Sequence, residues 1–133
     1  MIEKTKTILH VEDDDIKARA VARLVTHYAP HVSIVRAATA EAAFQLGAKF
    51  AFDAVITDWN LPQMEGGRAT NGVGGAVYRH FETVAPVVVL SGLPGAQGRD
   101  KDQAEGYSWI TFDAEVRHAL AAWLEAAVGR PEE

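Results

Sequence analysis

Apolar residues fall along this chain in two rhythms. Three runs are short and continuously apolar: Thr7-Ile8-Leu9-His10-Val11, Ala54-Val55-Ile56-Thr57 and Val87-Val88-Val89-Leu90. A strand with one wet face alternates and a strand covered on both faces does not, so these runs read as buried strands of a parallel sheet. Weaker runs over residues 31–36 and 107–110 supply a second and a fifth strand.

Between the runs the period lengthens to that of a helix. Over residues 15–28, Ile16, Ala20, Leu24, Val25 and Tyr28 recur at helical spacing until Pro30 stops the pattern. Thr39 is placed to cap a second helix that carries Ala43, Phe44 and Leu46 inward and that Gly47 closes. Residues 73–84 read as a third helix. The last spans 113–128, capped by Asp113, with Val116, Leu120, Trp123, Leu124 and Val128 as its inward stripe. This β-α alternation predicts an α/β fold, a doubly wound five-stranded parallel sheet with a flavodoxin-like β-α repeat. One unit is weak: residues 91–106 carry Gly92, Pro94, Gly95 and Gly98 in their first eight positions. Proline and glycine cost about 3 and 1 kcal/mol inside a helix, so the fourth helix is expected to be short, late or absent. The glycine-rich stretch 65–75 reads as a loop.

The 133 residues fit one domain, 1–133, with no effector domain behind it, and 48% hydrophobic with 23% charged residues is an ordinary globular balance. There is no cysteine, hence no disulfide framework and no thiol chemistry. The N-terminal residues lack the apolar stretch of a secretory signal, and the longest apolar run, 85–90, is too short to cross a bilayer. A cytoplasmic protein without membrane contact is the expectation. The net charge is -5 and the 13 lysines and arginines are scattered, which excludes the basic footprint of nucleic-acid binding. Any signal must pass through a partner protein.

In an open parallel sheet, reactive groups gather at the carboxyl ends of the strands. Those ends read Glu12-Asp13-Asp14-Asp15, Asp58-Trp59-Asn60, Ser91-Gly92 and Ile110-Thr111. An acidic run is commonly a solvated helix N-terminus. Its place straight after a buried strand, with Asp58 after another, points instead to converging carboxylates that repel one another unless a divalent cation holds them. Oxygen ligands suit Mg²⁺, and an aspartate beside it can act as nucleophile toward a phosphoryl group. Asp14 is the alternative metal ligand if the strand ends one residue later. Trp59 is expected at the rim of the site and His10 in the core, whereas His27, His31, His80 and His118 read as surface residues without metal spacing. The glycines from 66 to 75 fit no nucleotide-cradling pattern. Trp123 is either core or part of an apolar patch that would pair two copies as a homodimer.

The segments Ile8-Leu9-His10-Val11-Glu12-Asp13-Asp14, Asp58-Trp59-Asn60-Leu61-Pro62-Gln63-Met64-Glu65-Gly66 and Pro86-Val87-Val88-Val89-Leu90-Ser91-Gly92 resemble the receiver domains of two-component response regulators. The resemblance covers essentially the whole chain. It implies that Glu12 and Asp13 are the acidic pair for Mg²⁺, that Asp58 accepts the phosphoryl group, and that the Asn60 backbone carbonyl completes the metal shell. It further implies Ser91 as the switch hydroxyl, Tyr107 as the switch aromatic, and a histidine kinase or phosphotransfer protein as donor. Such a domain is a phosphorelay switch and not itself an enzyme.

Two departures stand out. Receivers normally carry Lys-Pro just after the fifth strand, and this chain has Ile110-Thr111. That lysine binds phosphoryl oxygens, and Lys4, Lys6, Arg68, Arg99 and Lys101 are the candidates to replace it. The shortened fourth segment also alters the usual partner face. The competing readings are a pseudo-receiver, which binds protein partners without phosphate, and a Mg²⁺-dependent phosphatase of related fold. The phosphatase would want an acid where Asn60 stands.

Overall fold

The structure, a computed structural model, describes residues 3–92 and 106–131. Its elements are β1 (Lys6–Val11), α1 (Asp15–Tyr28), β2 (Val32–Ala37), α2 (Ala40–Lys49), β3 (Ala54–Thr57), β4 (Leu61–Pro62), β5 (Ala69–Thr70), α3 (Val73–Phe81), β6 (Val87–Ser91), β7 (Trp109–Thr111) and α4 (Val116–Val128). Five strands form the parallel sheet in the order β2-β1-β3-β6-β7. The short β4 and β5 make a separate antiparallel pair, β5 lying inside the stretch 65–75 expected to be a loop and β4 just before it. Strand order reverses between β1 and β3, so the crevice where ligands gather opens at their carboxyl ends.

Alternation along each strand divides the core into two layers. Ile8, Ile56, Val88, Leu90 and Ile110 face α1 and α4, joined by Val21, Val25, Leu120 and Leu124. Leu9, Val11, Val55, Val87 and Val89 face α2 and α3, with Val77 and Phe81. Both faces are covered, which is why the strand sequences are continuously apolar.

Helix α1 has the predicted bounds but is turned about its axis relative to the predicted stripe. Its buried residues are Ala18, Val21 and Val25, while Ile16 is 76% exposed. Gly47 does not close α2, which runs on to Lys49. A Cβ there would stand 2.6 Å from the Phe81 ring, so Gly47 lets α2 approach α3. Helix α3 ends at Phe81, short of the expected residue 84. Helix α4 starts at Val116, and Asp113 instead caps the turn before it, its Oδ1 accepting from the Glu115 amide at 2.9 Å. Trp123 is half-buried against the α1/α4 layer.

His31 is a correction. It is buried, and its Nε2 donates to the Val128 carbonyl at 3.0 Å, which ties the start of β2 to the end of α4. His10 is buried as expected, and burial first, then Lys17 and Arg36, lowers its pKa from 6.5 to about 3. The expected defect in the fourth helix falls on residues 93–105, which lie outside the described residues. No helix among the described residues is long and apolar enough to cross a membrane.

Candidate functional site

The site begins where β1 stops. The Glu12 amide still donates to Ala37 of β2, at 2.9 Å, so the side chain is carried as an extension of the sheet and is 1% exposed. The next acid, Asp13, is exposed. Asp14 is the N-cap of α1, its Oδ1 accepting from the amides of Ile16 at 2.9 Å and Lys17 at 3.2 Å. That use commits Asp14 to the helix and leaves Glu12 and Asp13 as the acidic pair.

Asp58 follows β3, and its amide donates to the Val11 carbonyl at 3.0 Å, which fixes the two strand ends side by side. Glu12, Asp13 and Asp58 each offer a carboxylate oxygen, and the three oxygens lie within 4.8 Å of one another. Burial and the neighbouring Asp58 charge raise the Glu12 pKa to about 7, with Lys17 pulling the other way. Glu12 Oε1 is buried, accepts no hydrogen bond and is held only by an ion pair with the Lys17 ammonium at 3.2 Å. Three carboxylates converging on one point, one of them buried with an oxygen held by an ion pair alone, form the donor set of a hard divalent cation, and these residues fit Mg²⁺. Asn60, two residues past Asp58, is half-buried, with its Oδ1 also buried and without a hydrogen bond.

Sequence reasoning missed Lys17. Its Nζ lies 3.2 Å from Glu12 Oε1 and 3.3 Å from Asp58 Oδ1, and it donates to the Leu90 carbonyl of β6 at 2.9 Å. The side chain is 15% exposed, and the ammonium sits 5.5 Å from the centre of the Phe112 ring. None of the five cations expected from sequence occupies this place in the described structure. Lys4 bonds the Pro30 carbonyl and Lys6 opens β1, both at the amino end of the sheet. Arg68 is exposed in the loop before β5, and Arg99 and Lys101 lie outside the described residues. The signal was available: side chains in the first turn of a helix lean back toward its N-terminus, here toward the strand ends.

Ile110 is corrected as well. It is not past the fifth strand but in the middle of β7, paired with Leu90 and buried in the α1/α4 layer. Ser91 ends β6 and is buried, with its carbonyl accepting from the Phe112 amide at 2.7 Å. Tyr107 precedes β7 instead of lying within it. Its ring packs edge-on against Trp59 at 5.2 Å and Tyr78 at 4.9 Å, with the Arg79 guanidinium 4.2 Å from its centre.

Trp59 does not sit at the rim. Its amide donates to Asp58 Oδ1 at 2.7 Å, but its ring is 3% exposed and packs on Trp109 at 5.1 Å. Two glycines that read as loop residues make room for it. A Cβ on Gly74 would stand 1.8 Å from the Asp58 carbonyl oxygen, and one on Gly75 would meet the Trp59 ring at 3.2 Å. The Gly74 amide donates to the Trp59 carbonyl at 2.9 Å, so the start of α3 braces the segment that carries Asp58.

The sequence matches no family profile and no curated relative. Among solved structures the chain has the fold of response-regulator receiver domains. It is similar to the receiver domain of sensor histidine kinase PA1611 from Pseudomonas aeruginosa PAO1, with TM-score 0.69 and 19% identity over 93% of this chain and 98% of that one. That structure holds a magnesium ion coordinated in its active-site cleft. It is similar also to the chemotaxis response regulator CheY4 of Vibrio cholerae, with TM-score 0.65 and 18% identity over 90% of this chain and 99% of that one. A CheY-like receiver domain from Methylobacillus flagellatus matches with TM-score 0.65 and 17% identity, over 92% and 98% of the two chains.

Proposed function

We propose that this chain is a phosphorylation switch of two-component signalling, with Asp58 as acceptor and a histidine kinase or phosphotransfer protein as donor. The observation that carries the reading is the convergence of carboxylate oxygens from Glu12, Asp13 and Asp58 within 4.8 Å of one another at the ends of two neighbouring strands. The receiver fold supports it. Glu12, Asp13, Asp58 and the Asn60 backbone carbonyl would hold Mg²⁺, which when bound neutralises charge on the phosphoryl oxygens. A carboxylate oxygen of Asp58 forms a bond to phosphorus as the P–N bond of a phosphohistidine breaks. The electron pair of that bond returns to the imidazole nitrogen. Trp59 and Gly74 hold the carboxylate still: the Trp59 amide bonds Oδ1, and Gly74 backs the peptide.

In this reading Ser91 supplies the hydroxyl for a phosphoryl oxygen and Tyr107 the aromatic that follows it. The chain is then the substrate of a kinase and not an enzyme. Incubation with Mg²⁺ and a small phosphodonor should add the mass of one phosphoryl group to the intact protein, and Asp58→Asn should abolish the gain. A folded wild type that binds Mg²⁺ yet gains no mass from a small donor or a phosphorylated kinase would overturn the proposal in favour of a pseudo-receiver.

A further inference from the structure

We infer that Lys17 of α1 is the phosphoryl-binding cation of this domain, delivering from a helix the positive charge that position 110 of β7 does not supply. The inference rests on the phosphoacceptor reading of Asp58. The ammonium donates to the Leu90 carbonyl of β6 and forms ion pairs with carboxylates past two further strand ends, Glu12 beyond β1 and Asp58 beyond β3. It therefore bridges the crevice from the acidic pair to the residue before Ser91. A group added to the Asp58 carboxylate arrives beside a cation already 3.3 Å from Oδ1.

Helix stability does not explain the position. A cation in the first turn opposes the helix macrodipole, and α1 already has Asp14 and Asp15 to satisfy its N-terminus. Nor does another cation compete for the role among the described residues. Arg36 reaches the same end of the sheet, but its Nε donates to the Glu12 carbonyl and its guanidinium pairs with Asp15. Ile110 is buried against Leu90. The aliphatic stem of Lys17 spans the apolar surface while its head stays among the oxygens, with the Phe112 ring on one side.

Lys17 has two roles in sequence. In the resting domain it is the counter-ion of Glu12 and Asp58 and so competes with Mg²⁺ for the same oxygens. When the phosphoryl group is present, its oxygens carry more charge than Glu12, and the ammonium moves to them. That shift leaves Glu12 to the metal. Removing the charge should therefore move two affinities in opposite directions, which loss of a merely structural lysine would not do.

The test uses the whole chain, wild type and Lys17→Met, with Mg²⁺ alone and then Mg²⁺ plus beryllofluoride as a non-covalent phosphoryl stand-in, followed by calorimetry. Lys17→Met should bind Mg²⁺ several-fold more tightly and beryllofluoride about 10- to 100-fold more weakly, the range expected for one lost charge-assisted hydrogen bond. Lys17→Arg should keep most of the beryllofluoride affinity. Lys17→Gln, with unfolding curves for every variant, guards against a packing defect in the methionine form. A folded Lys17→Met or Lys17→Gln protein that binds beryllofluoride within twofold of wild type overturns the role of Lys17 and leaves Asp58 as acceptor. A wild type that binds Mg²⁺ but no beryllofluoride overturns both readings.

Discussion

Replacing Gly74 by alanine should damage the domain, although alanine is the better helix former. Gly74 is the second residue of α3, where alanine would contribute about 0.8 to 1 kcal/mol through helix propensity alone. Against that, the added Cβ would stand 1.8 Å from the Asp58 carbonyl oxygen, 2.7 Å from the Asp58 carbonyl carbon and 2.7 Å from the Trp59 Cα. All three are backbone atoms and cannot rotate away. An ordinary carbon–oxygen contact needs roughly 3.3 Å, so α3 would have to retreat by about 1.5 Å. Overpacking of this kind costs about 1 to 3 kcal/mol, and losing the Gly74 amide bond to Trp59 adds about 1 kcal/mol. Subtracting the propensity gain leaves a net loss of about 2 kcal/mol, within a range of roughly 1 to 3. Urea unfolding of wild type, Gly74→Ala and Gly92→Ala measures it, since a Cβ at Gly92 meets nothing within 4 Å. Gly92→Ala should stay within about 0.5 kcal/mol of wild type. If Gly74→Ala does so too, the close approach of α3 to the acceptor segment is not real.

Two pH dependences follow from buried groups. The folded-state pKa of His10 is lowered from 6.5 to about 3, so between those values the unfolded chain takes up a proton that the native one refuses. Its contribution to stability is therefore full above about pH 6.5 and lost as pH falls toward 3, by up to about 1.4 kcal/mol per unit. His10→Leu should flatten that part of the stability profile, and an unchanged slope would contradict the assignment. Glu12 is shifted the other way, up to about 7, so below that pH the native carboxyl holds a proton that Mg²⁺ must displace. Calorimetry across that range should show Mg²⁺ affinity falling by up to about tenfold per unit below neutrality, and Glu12→Gln should remove the trend.

The sheet was legible because strands covered on both faces need no polar positions, and Ile8, Val55 and Val88 announce that directly. The acidic pair and Asp58 followed from their places just past those strands. Lys17 was hidden by the arithmetic of apolar residues. A stripe drawn through Ile16 and Ala20 sends Lys17 outward, whereas the folded helix leaves Ile16 in water and turns Lys17 with Val21 and Val25 toward the sheet. A lysine has an apolar stem long enough to cross a layer and a head that needs oxygen, and a binary reading of the pattern records only the head. His31 was missed for a related reason: its single partner, the Val128 carbonyl, lies 97 residues away and leaves no local trace. The same holds for Gly47 and Gly74, whose neighbours are set by packing between elements and not by the turns that glycine commonly signals.

The bond from Lys17 to the Leu90 carbonyl joins positions 73 residues apart. Every pairing in the five-stranded sheet is likewise parallel, and parallel strands cannot zip up through a tight turn. The first sixty residues contain Glu12, Asp13, Lys17 and Asp58, but the third anchor of the ammonium arrives only with β6. Completion of the site thus depends on non-local contacts, and the loop closures they require slow the approach of distant segments. The crowding of three carboxylates and the means of relieving it thus come from opposite halves of the chain, with β6 supplying the carbonyl that fixes the compensating cation in place.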